Sequence, residues 1–202
     1  MTTATELLAK NLRESIAAKQ AFLADGDSAM RFDRAAAMVV ERYKNGGRLY
    51  IAGNGGSAAD AQHLAAEFVS KLARDRAPLP AEALTVDSSI LTAIGNDYGY
   101  DQVFSRQLAG KLTAKDMFLG ITTSGKSPNI LLALKQCQSL GVPSIVFCGR
   151  DGGPAKALAD HCIIAPGHLT STIQEIHLVL AHTLCEMVEI AMFGHASDEH
   201  AA

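Results

Sequence analysis

The sequence has no excess of basic residues. Lys and Arg number 18 against 21 Asp and Glu, which gives the 202 residues a net charge of −3. Proteins that hold nucleic acid or an anionic membrane by charge carry a basic patch or stripe. We therefore expect no nucleic-acid partner and no binding to a membrane surface.

A disulfide framework and a leader segment are missing as well. The four cysteines are Cys137, Cys148, Cys162 and Cys185. No two of them form a Cys-x-x-Cys pair, and each one has apolar neighbours. This usage is typical of reduced core residues. Residues 1–6 do not show the basic region and apolar core of a signal peptide. We therefore expect a cytoplasmic protein.

One stretch, residues 173–193, is apolar enough to raise the question of a membrane span. Five ionisable side chains interrupt it: Glu175, His177, His182, Glu186 and Glu189. Five ionisable groups would be costly to place in a bilayer. We therefore predict a buried helix instead of a membrane span. A helix that is apolar on most faces must be covered on most faces, which in a domain this small indicates subunit packing.

Two common nucleotide-binding motifs are also absent. Lys126 has no glycine at the upstream spacing that the P-loop requires. Gly53–Ser57 lacks the two spacers and the final glycine of the dinucleotide pattern Gly-x-Gly-x-x-Gly. The loops of this chain are therefore not those of a nucleotide hydrolase or a dinucleotide-binding enzyme.

Two loops rich in serine, threonine and glycine are present. Residues 54–57 follow the apolar run Leu49–Gly53, residues 122–127 follow the apolar run 117–121, and a helical pattern comes after each. The N-terminus of a helix offers free N–H groups and positive charge, so such a loop can hold a dianionic phosphate. Turn formation alone would explain either loop equally well. Both together favour a phosphorylated small molecule held between them.

The order of patterns along the chain predicts one three-layer α/β/α domain over residues 1–202. Residues 5–43 have helical periodicity with a break at residues 25–27, which predicts an N-terminal helical hairpin within residues 1–46 that packs in an oligomer. Five strand-length runs then alternate with helices in a core over residues 47–195: Leu49–Gly53, Ala83–Val86, Met117–Thr122, Ser144–Cys148 and Cys162–Ala165. This alternation predicts a five-stranded parallel sheet, followed by a long C-terminal helix. Ligands of such sheets lie at the carboxyl ends of the strands, where both loops fall.

His63 and Glu67 lie four residues apart on the helix after the first loop, so they share one face. An imidazole and a carboxylate at this spacing suit either two zinc ligands or an acid/base pair. An exposed helix pair worth a few tenths of a kcal/mol is the plainer interpretation. Small apolar residues crowd this helix, however, and weaken that interpretation.

The C-terminal helix offers Gln174, Glu175, His177 and His182. A histidine deep in an apolar helix is usually a hydrogen-bonded core residue. Gln174 and His182 are separated by roughly 12 Å along a helix axis. One ligand engages both only if the side chains converge or come from different subunits, so spacing alone leaves a metal site open.

Two further polar segments are predicted to be turns. Residues 96–99 follow the apolar residues 90–94 and are predicted to form a loop, in which the Asp97 carboxylate would bind substrate hydroxyls if it lines the pocket. Residues 150–153 follow the fourth strand and have a weaker claim on a ligand.

Taken together, these motifs resemble the sedoheptulose-7-phosphate isomerase (phosphoheptose isomerase) family of sugar isomerase (SIS) domains. The matching runs keep the family's order and cover nearly the whole chain: Gly53–His63, Leu91–Gly99, Thr123–Asn129 and Ile173–His177, followed by His182. The resemblance implies a flavodoxin-like sheet and a homotetramer with active sites at subunit contacts.

The resemblance also implies a role for each matching residue. One Zn²⁺ per subunit would be held by His63, Glu67, Gln174 and His182, and proton transfer would fall to Glu67 and His182. The implied substrate contacts are Asn54, Gly55, Gly56, Glu67, Asn96, Asp97, Thr122, Thr123, Ser124, Ser127 and Gln174. The implied reaction converts sedoheptulose 7-phosphate to D-glycero-D-manno-heptose 7-phosphate through an enediol. It is the first step towards activated heptose for lipopolysaccharide and other bacterial surface polysaccharides.

The sequence departs from the family at two places, and three alternatives stay open. Thr122 stands where serine is usual, and residues 168–172 lack the acidic and basic residues common before Ile173. The alternatives are a non-catalytic replication-initiator-associating SIS protein, a sugar-phosphate sensor, and an isomerase of a different phosphosugar. The first group lacks the carboxylate and the final histidine, so Glu67 and His182 favour the enzyme. No DNA-binding helix pair supports the sensor.

Overall fold

Five parallel strands form one sheet in the computed structural model, which describes residues 2–194. The strands are β1 (Leu49–Gly53), β2 (Ala81–Ala83), β3 (Met117–Thr122), β4 (Ser144–Gly149) and β5 (His161–Ala165). Their order across the sheet is β2-β1-β3-β4-β5, and every pairing is parallel. This is the flavodoxin-like order, so the predicted sheet is confirmed. Residues 195–202, which include the predicted end of the core, lie outside the described residues.

Within residues 2–194, eight α-helices cover the two faces of the sheet. They are α1 (Ala4–Ala24), α2 (Gly26–Lys44), α3 (Gly56–Val69), α4 (Ser88–Tyr98), α5 (Ser105–Lys111), α6 (Pro128–Leu140), α7 (Ala155–Leu158) and α8 (Thr170–Phe193). Leu49, Ile51 and Leu119 pack with α1, α2, α3 and α8. Tyr50 and Phe118 pack with α4 to α7 on the other face. Because successive strand residues face opposite sides, this alternation produces three layers.

The N-terminal hairpin has well-defined helix ends. The Thr3 hydroxyl accepts from the Glu6 backbone N–H at 3.2 Å, and the Thr3 N–H donates to the Glu6 carboxylate at 2.8 Å, which is a capping box. Asp25 separates the two helices and caps α2. Leu8, Leu12 and Ile16 are exposed although they recur every four residues on α1. This outward apolar stripe is not covered within the described part of the chain.

Strand β2 lies two residues earlier than predicted. The prediction placed it at Ala83–Val86, whereas Leu49 pairs with Ala81 and Ile51 pairs with Ala83. The strand begins immediately after Pro80, whose carbonyl accepts from the Leu49 N–H at 3.1 Å. Val86 is 61% exposed. The apolar run therefore spans the end of the strand and the turn after it.

The predicted loop at residues 96–99 is wrong, because Asn96 and Asp97 form the last turn of helix α4. The Asp87 carboxylate caps this helix by accepting from the Ile90 N–H at 2.9 Å. The helix ends at Gly99, whose φ of 91° suits glycine. Asn and Asp favour turns, but a helical last turn accommodates them where their side chains face solvent, as both do here.

Helix α8 is long and apolar enough to span a membrane, and it is the one helix within residues 2–194 that meets this test. It nevertheless belongs to the core of the domain, because Ile173, Leu180 and Leu184 are buried in the cluster between the helices and the sheet. The predicted buried helix is thus confirmed. Val179 and Met187 remain exposed on its outer side.

His177 is a core residue of α8, as the sequence interpretation of buried histidines predicts. Its Nε2 lies 2.8 Å from the carbonyl oxygen of Cys148, and its ring lies beside Phe147. Burial lowers the pKa of His177 to about 4, against the opposing effect of the Cys148 hydrogen bond. The side chain is therefore neutral in the folded protein near neutral pH.

We expect the free energy of unfolding to fall as the pH is lowered from about 6.5 to about 4, because of His177. In this window the unfolded chain binds a proton that the folded protein does not, so stability rises with pH. The full effect is on the order of 3 kcal/mol. Urea unfolding at several pH values measures it for the wild type and His177→Gln. Equal pH slopes in the two proteins would contradict this assignment.

Candidate active site

The two Ser/Gly loops lie side by side at the carboxyl ends of β1 and β3. The chain leaves these neighbouring strands in opposite directions, towards β2 and towards β4, so a crevice opens between them. A cavity of about 210 Å³ occupies it, lined by Asn54, Gly56, Ser57, Ile121, Thr122, Thr123, Ser127, Thr170 and Gln174. The predicted meeting of the two loops is therefore what the structure shows.

Three larger cavities contain neither Ser/Gly loop. Two of them, of about 310 and 440 Å³, lie along α1, and one of about 330 Å³ lies beside β2. The cavity of about 440 Å³ is lined partly by alanines of α1, next to the exposed apolar stripe. Size alone does not identify a ligand site. We place the candidate site at the smaller cavity because two helix N-termini and several hydroxyls meet there.

The two helices that follow the Ser/Gly loops have N-termini without a side-chain cap. Helix α3 begins after Gly55 and α6 begins after Ser127, and neither residue makes a capping hydrogen bond. Uncapped N-termini leave backbone N–H groups and the positive end of the helix dipole for a ligand. The arrangement suits a phosphate group.

The second loop is supported from behind by the turn at residues 150–153. Gly125 has a φ of 64°, and a Cβ at this position would overlap the Gly152 carbonyl. The Ala155 N–H donates to the Gly125 carbonyl at 3.1 Å. The turn therefore holds the loop in place.

The hydroxyls of the second loop do not all face the cavity. Thr122, Thr123 and Ser127 line it, and the Thr122 and Ser127 hydroxyls lie 3.0 Å apart. The Ser124 hydroxyl instead accepts from the Lys126 N–H at 3.2 Å and does not line the cavity. Asn96 and Asp97 are exposed at the end of α4 and do not line it either.

His63, Glu67 and His182 form one cluster. The His63 Nε2 lies 3.5 Å from the Glu67 Oε1 and 2.8 Å from the His182 Nε2. The His63 side chain is 46% exposed and the Glu67 side chain 20% exposed, so the cluster is open on one side. Helices α3 and α8 thus bring together side chains that are far apart in sequence.

Gln174 lies two turns earlier along the same pair of helices. A Cβ on Gly56 would lie 2.5 Å from the Gln174 Nε2, so a side chain at this position would displace the amide of Gln174. No hydrogen bond joins Gln174 to His63, Glu67 or His182 in the described chain. Three of the four implied zinc ligands are therefore in contact through His63. The fourth, Gln174, lines the cavity instead.

The cluster contains the donor atoms that zinc binds, but its two imidazole nitrogens are closer together than two zinc ligands would be. Within residues 2–194, no three His, Cys, Asp or Glu side chains are grouped as a formed metal site. Two nitrogen ligands of a tetrahedral zinc, with bond lengths near 2.0–2.1 Å, lie about 3.3 Å apart. The nitrogens of His63 and His182 are hydrogen-bonded at 2.8 Å. Two imidazoles and one carboxylate are nevertheless a set of donors that zinc accepts.

Comparisons with known proteins show the family of this chain. The sequence profile of the SIS domain matches residues 11–149. A phosphoheptose isomerase of Aneurinibacillus thermoaerophilus is 47% identical over 188 residues, which are 93% of this chain and 95% of that protein. The structure of a phosphoheptose isomerase from Neisseria gonorrhoeae matches with a TM-score of 0.86 at 40% identity, over 93% of this chain and 99% of that one. The chain belongs to the phosphoheptose isomerase family of SIS domains.

Asp60 is a partly buried carboxylate near His63 that the sequence analysis did not single out. It lies on α3 three residues before His63, and its Oδ2 is buried without a hydrogen-bond partner within residues 2–194. Burial raises the pKa of Asp60, and the charge of His63 opposes this shift. The spacing Asp60, His63, Glu67 on one helix face was a signal that could have identified it.

A buried ion pair supports the cluster from below. Arg76 Nε and Glu189 Oε1 lie 2.9 Å apart, and both side chains are only 1% exposed. The Arg76 guanidinium also donates to the carbonyls of Glu67 at 2.9 Å and Phe68 at 2.7 Å, at the end of α3. Since Glu189 lies two turns after His182 on α8, the pair joins the two helices that carry the cluster.

Proposed function

We propose that this protein is a phosphoheptose isomerase, which converts sedoheptulose 7-phosphate to D-glycero-D-manno-heptose 7-phosphate. The observation that carries this proposal is the contact of His63, Glu67 and His182 beside a crevice with two uncapped helix N-termini. A phosphate site next to a carboxylate and imidazoles has the groups that ketose–aldose isomerisation requires.

The phosphate end of the sugar would lie at the two loops. The N-termini of α3 and α6 and the hydroxyls of Thr123 and Ser127 would bind it. This binding is remote from the reacting carbons, so it orients the sugar and its energy can be expressed in the transition state. The exposed Asn96 and Asp97 would contact sugar hydroxyls from the end of α4.

Proton transfer would fall to Glu67 and His182. The Glu67 carboxylate takes a proton from C1 of the ketose and returns one to C2, with an enediol between the two steps. The imidazole of His182 moves the accompanying proton between the oxygens on C1 and C2. The contacts of His63 with both side chains bring Glu67 and His182 together between α3 and α8.

We propose one Zn²⁺ per subunit as the cofactor. His63, Glu67 and His182 would hold it, with the Gln174 amide oxygen as a further ligand. A bound zinc ion polarises a carbonyl and stabilises the negative charge that develops on its oxygen. Of these three ligands, His63 has no part in the proposed proton transfer.

We further propose that the protein is a cytoplasmic homotetramer. The apolar stripe of α1 and the exposed Val179 and Met187 on α8 are surfaces that a second copy would cover. The net charge of −3 supports neither nucleic acid nor an anionic membrane as a partner.

An isomerase acting on a different phosphosugar is the second candidate. Thr170 lines the cavity and belongs to the segment that departs from the family's usual residues. A change in this segment alters the wall that the sugar meets. By contrast, the contact of Glu67 and His182 with His63 supports catalysis over a role limited to binding a replication initiator.

Turnover of sedoheptulose 7-phosphate tests the proposal directly. Purified protein with added zinc is expected to form the aldose, as followed by NMR, and a chelator is expected to remove the activity until zinc is restored. Fructose 6-phosphate is the matched control substrate. If a folded, zinc-supplied protein left sedoheptulose 7-phosphate unchanged, the proposed function would be wrong.

A further inference from the structure

The amide of Asn54 is almost fully engaged by other protein groups. Its Nδ2 donates to Asn129 Oδ1 at 2.9 Å, and its Oδ1 accepts from Asn129 Nδ2 at 2.8 Å and from the Tyr100 hydroxyl at 3.3 Å. A side-chain amide accepts two hydrogen bonds and donates two. One N–H of this amide is left for a ligand, although Asn54 lines the cavity.

The three residues come from three different segments. Asn54 belongs to the loop between β1 and α3, and Asn129 lies in the first turn of α6, directly after the second loop. Tyr100 begins the short 3-10 turn that follows α4, the helix that ends with Asn96 and Asp97. Three segments at or next to the expected sugar-phosphate contacts therefore meet at one amide.

The Asn129 side chain is suited to hold a fixed geometry. The residue is only 2% exposed, and its amide forms a reciprocal pair of hydrogen bonds with Asn54. A buried amide that loses its partner is costly, so the pair resists separation. Asn129 lies at the start of α6, and Asn54 lies just before α3. The hydrogen-bonded pair therefore sets the distance between the N-termini of these two helices.

We propose that Asn129 and Tyr100 are positioning residues, which act through the Asn54 side chain to hold the two anion-binding loops at one separation. The proposal rests on the proposed function only for the identity of the sugar. Two helix N-termini contact one phosphate only if both lie within hydrogen-bond reach, and a misplacement of about 1 Å can cost roughly 100-fold in rate. The Asn54 side chain then acts as a joint between the loops and keeps one N–H for the substrate.

A double-mutant cycle of Asn54→Ala and Asn129→Ala tests this proposal. Each single variant is expected to weaken the Kd for inorganic phosphate and to raise KM for the sugar phosphate by roughly tenfold, with a smaller change in kcat. The double variant is expected to be no weaker than the weaker single variant, because both changes break the same joint. Asn45→Ala, at an exposed asparagine after α2, is the matched control and should change neither constant.

Two more variants are expected to show smaller losses of phosphate affinity. Asn129→Asp keeps the shape and can accept from the Asn54 amide but cannot donate to it, so its Kd should lie between those of the wild type and Asn129→Ala. Tyr100→Phe removes one longer hydrogen bond and should weaken binding by roughly twofold to threefold. If the losses in the cycle multiply instead, Asn54 binds the ligand independently of Asn129 and the proposal is overturned.

The phosphate measurement separates this proposal from the proposed function. Inorganic phosphate binds or fails to bind regardless of which sugar the enzyme uses. In one outcome, the wild type fails to isomerise sedoheptulose 7-phosphate while the double-mutant cycle shows coupling in the Kd for phosphate. That result would refute the proposed substrate and support the joint at Asn54. A wild type that turns over the sugar, together with phosphate affinity unaffected by Asn129→Ala, would refute the joint alone.

Discussion

Glu67→Gln is expected to lower kcat for sedoheptulose 7-phosphate by about 10²–10⁴-fold. The amide has nearly the same size as the carboxylate but cannot accept a proton from carbon, so the proposed base is lost. Inorganic phosphate should bind as in the wild type, because the loops that would hold it lie at the other end of α3. Single-turnover NMR and phosphate titration measure the two effects.

The control for this prediction is Glu41→Gln. Glu41 is exposed on α2, a helix that carries no residue of the cluster, so the same chemical change there should leave kcat unchanged. Zinc content is measured for each variant, because Glu67 is also an implied ligand of the ion. Near-normal turnover by Glu67→Gln with zinc bound would remove Glu67 from the proposed proton transfer.

Arg76→Met is expected to lower the free energy of unfolding by about 3–5 kcal/mol. The change leaves the Glu189 carboxylate buried with only the N–H groups of Leu72 and Ala73 as partners. It also frees the carbonyls of Glu67 and Phe68, which Arg76 holds in place. Urea unfolding of the variant and the wild type at pH 7 measures the difference.

Lys111→Met is the matched control for the buried pair. Lys111 and Glu82 form an ion pair whose side chains are 28% and 31% exposed, so its loss should cost only about 0–1 kcal/mol. The double variant Arg76→Met/Glu189→Met should recover much of the loss, because no charge is then left buried alone. Equal costs for Arg76→Met and Lys111→Met would show that the Arg76 pair is not a special support of α3 and α8.

Much of the candidate site was predictable from local patterns. The two loops are readable because a strand, a run of small polar residues and a helix are consecutive in sequence, and parallel sheets collect such loops at one edge. The pair His63 and Glu67 is readable because helical periodicity places residues four apart on one face. The same periodicity could have drawn attention to Asp60.

The longer-range contacts were not predictable in this way. His63 and His182 are separated by 119 residues in sequence yet lie 2.8 Å apart. Periodicity places His177 and His182 equally well in an apolar helix, but one is bonded to a strand carbonyl in the core and the other faces α3. The packing of α8 decides between them. The placement of Asn96 and Asp97 in a helix also depended on the Asp87 cap rather than on their own turn-forming preference.

By itself, the sequence determined the α/β class, the strand order expected for the resemblance, the two anion-binding loops and the list of residues with suitable chemistry. The strand order came from the resemblance to the family, and the others follow from short-range rules of backbone geometry and hydrophobic alternation. Only the tertiary structure decided which residues touch: the cluster between α3 and α8, the buried pair of Arg76 and Glu189, and the joint at Asn54. These contacts join segments far apart in the chain, and their formation depends on how the helices pack on the sheet.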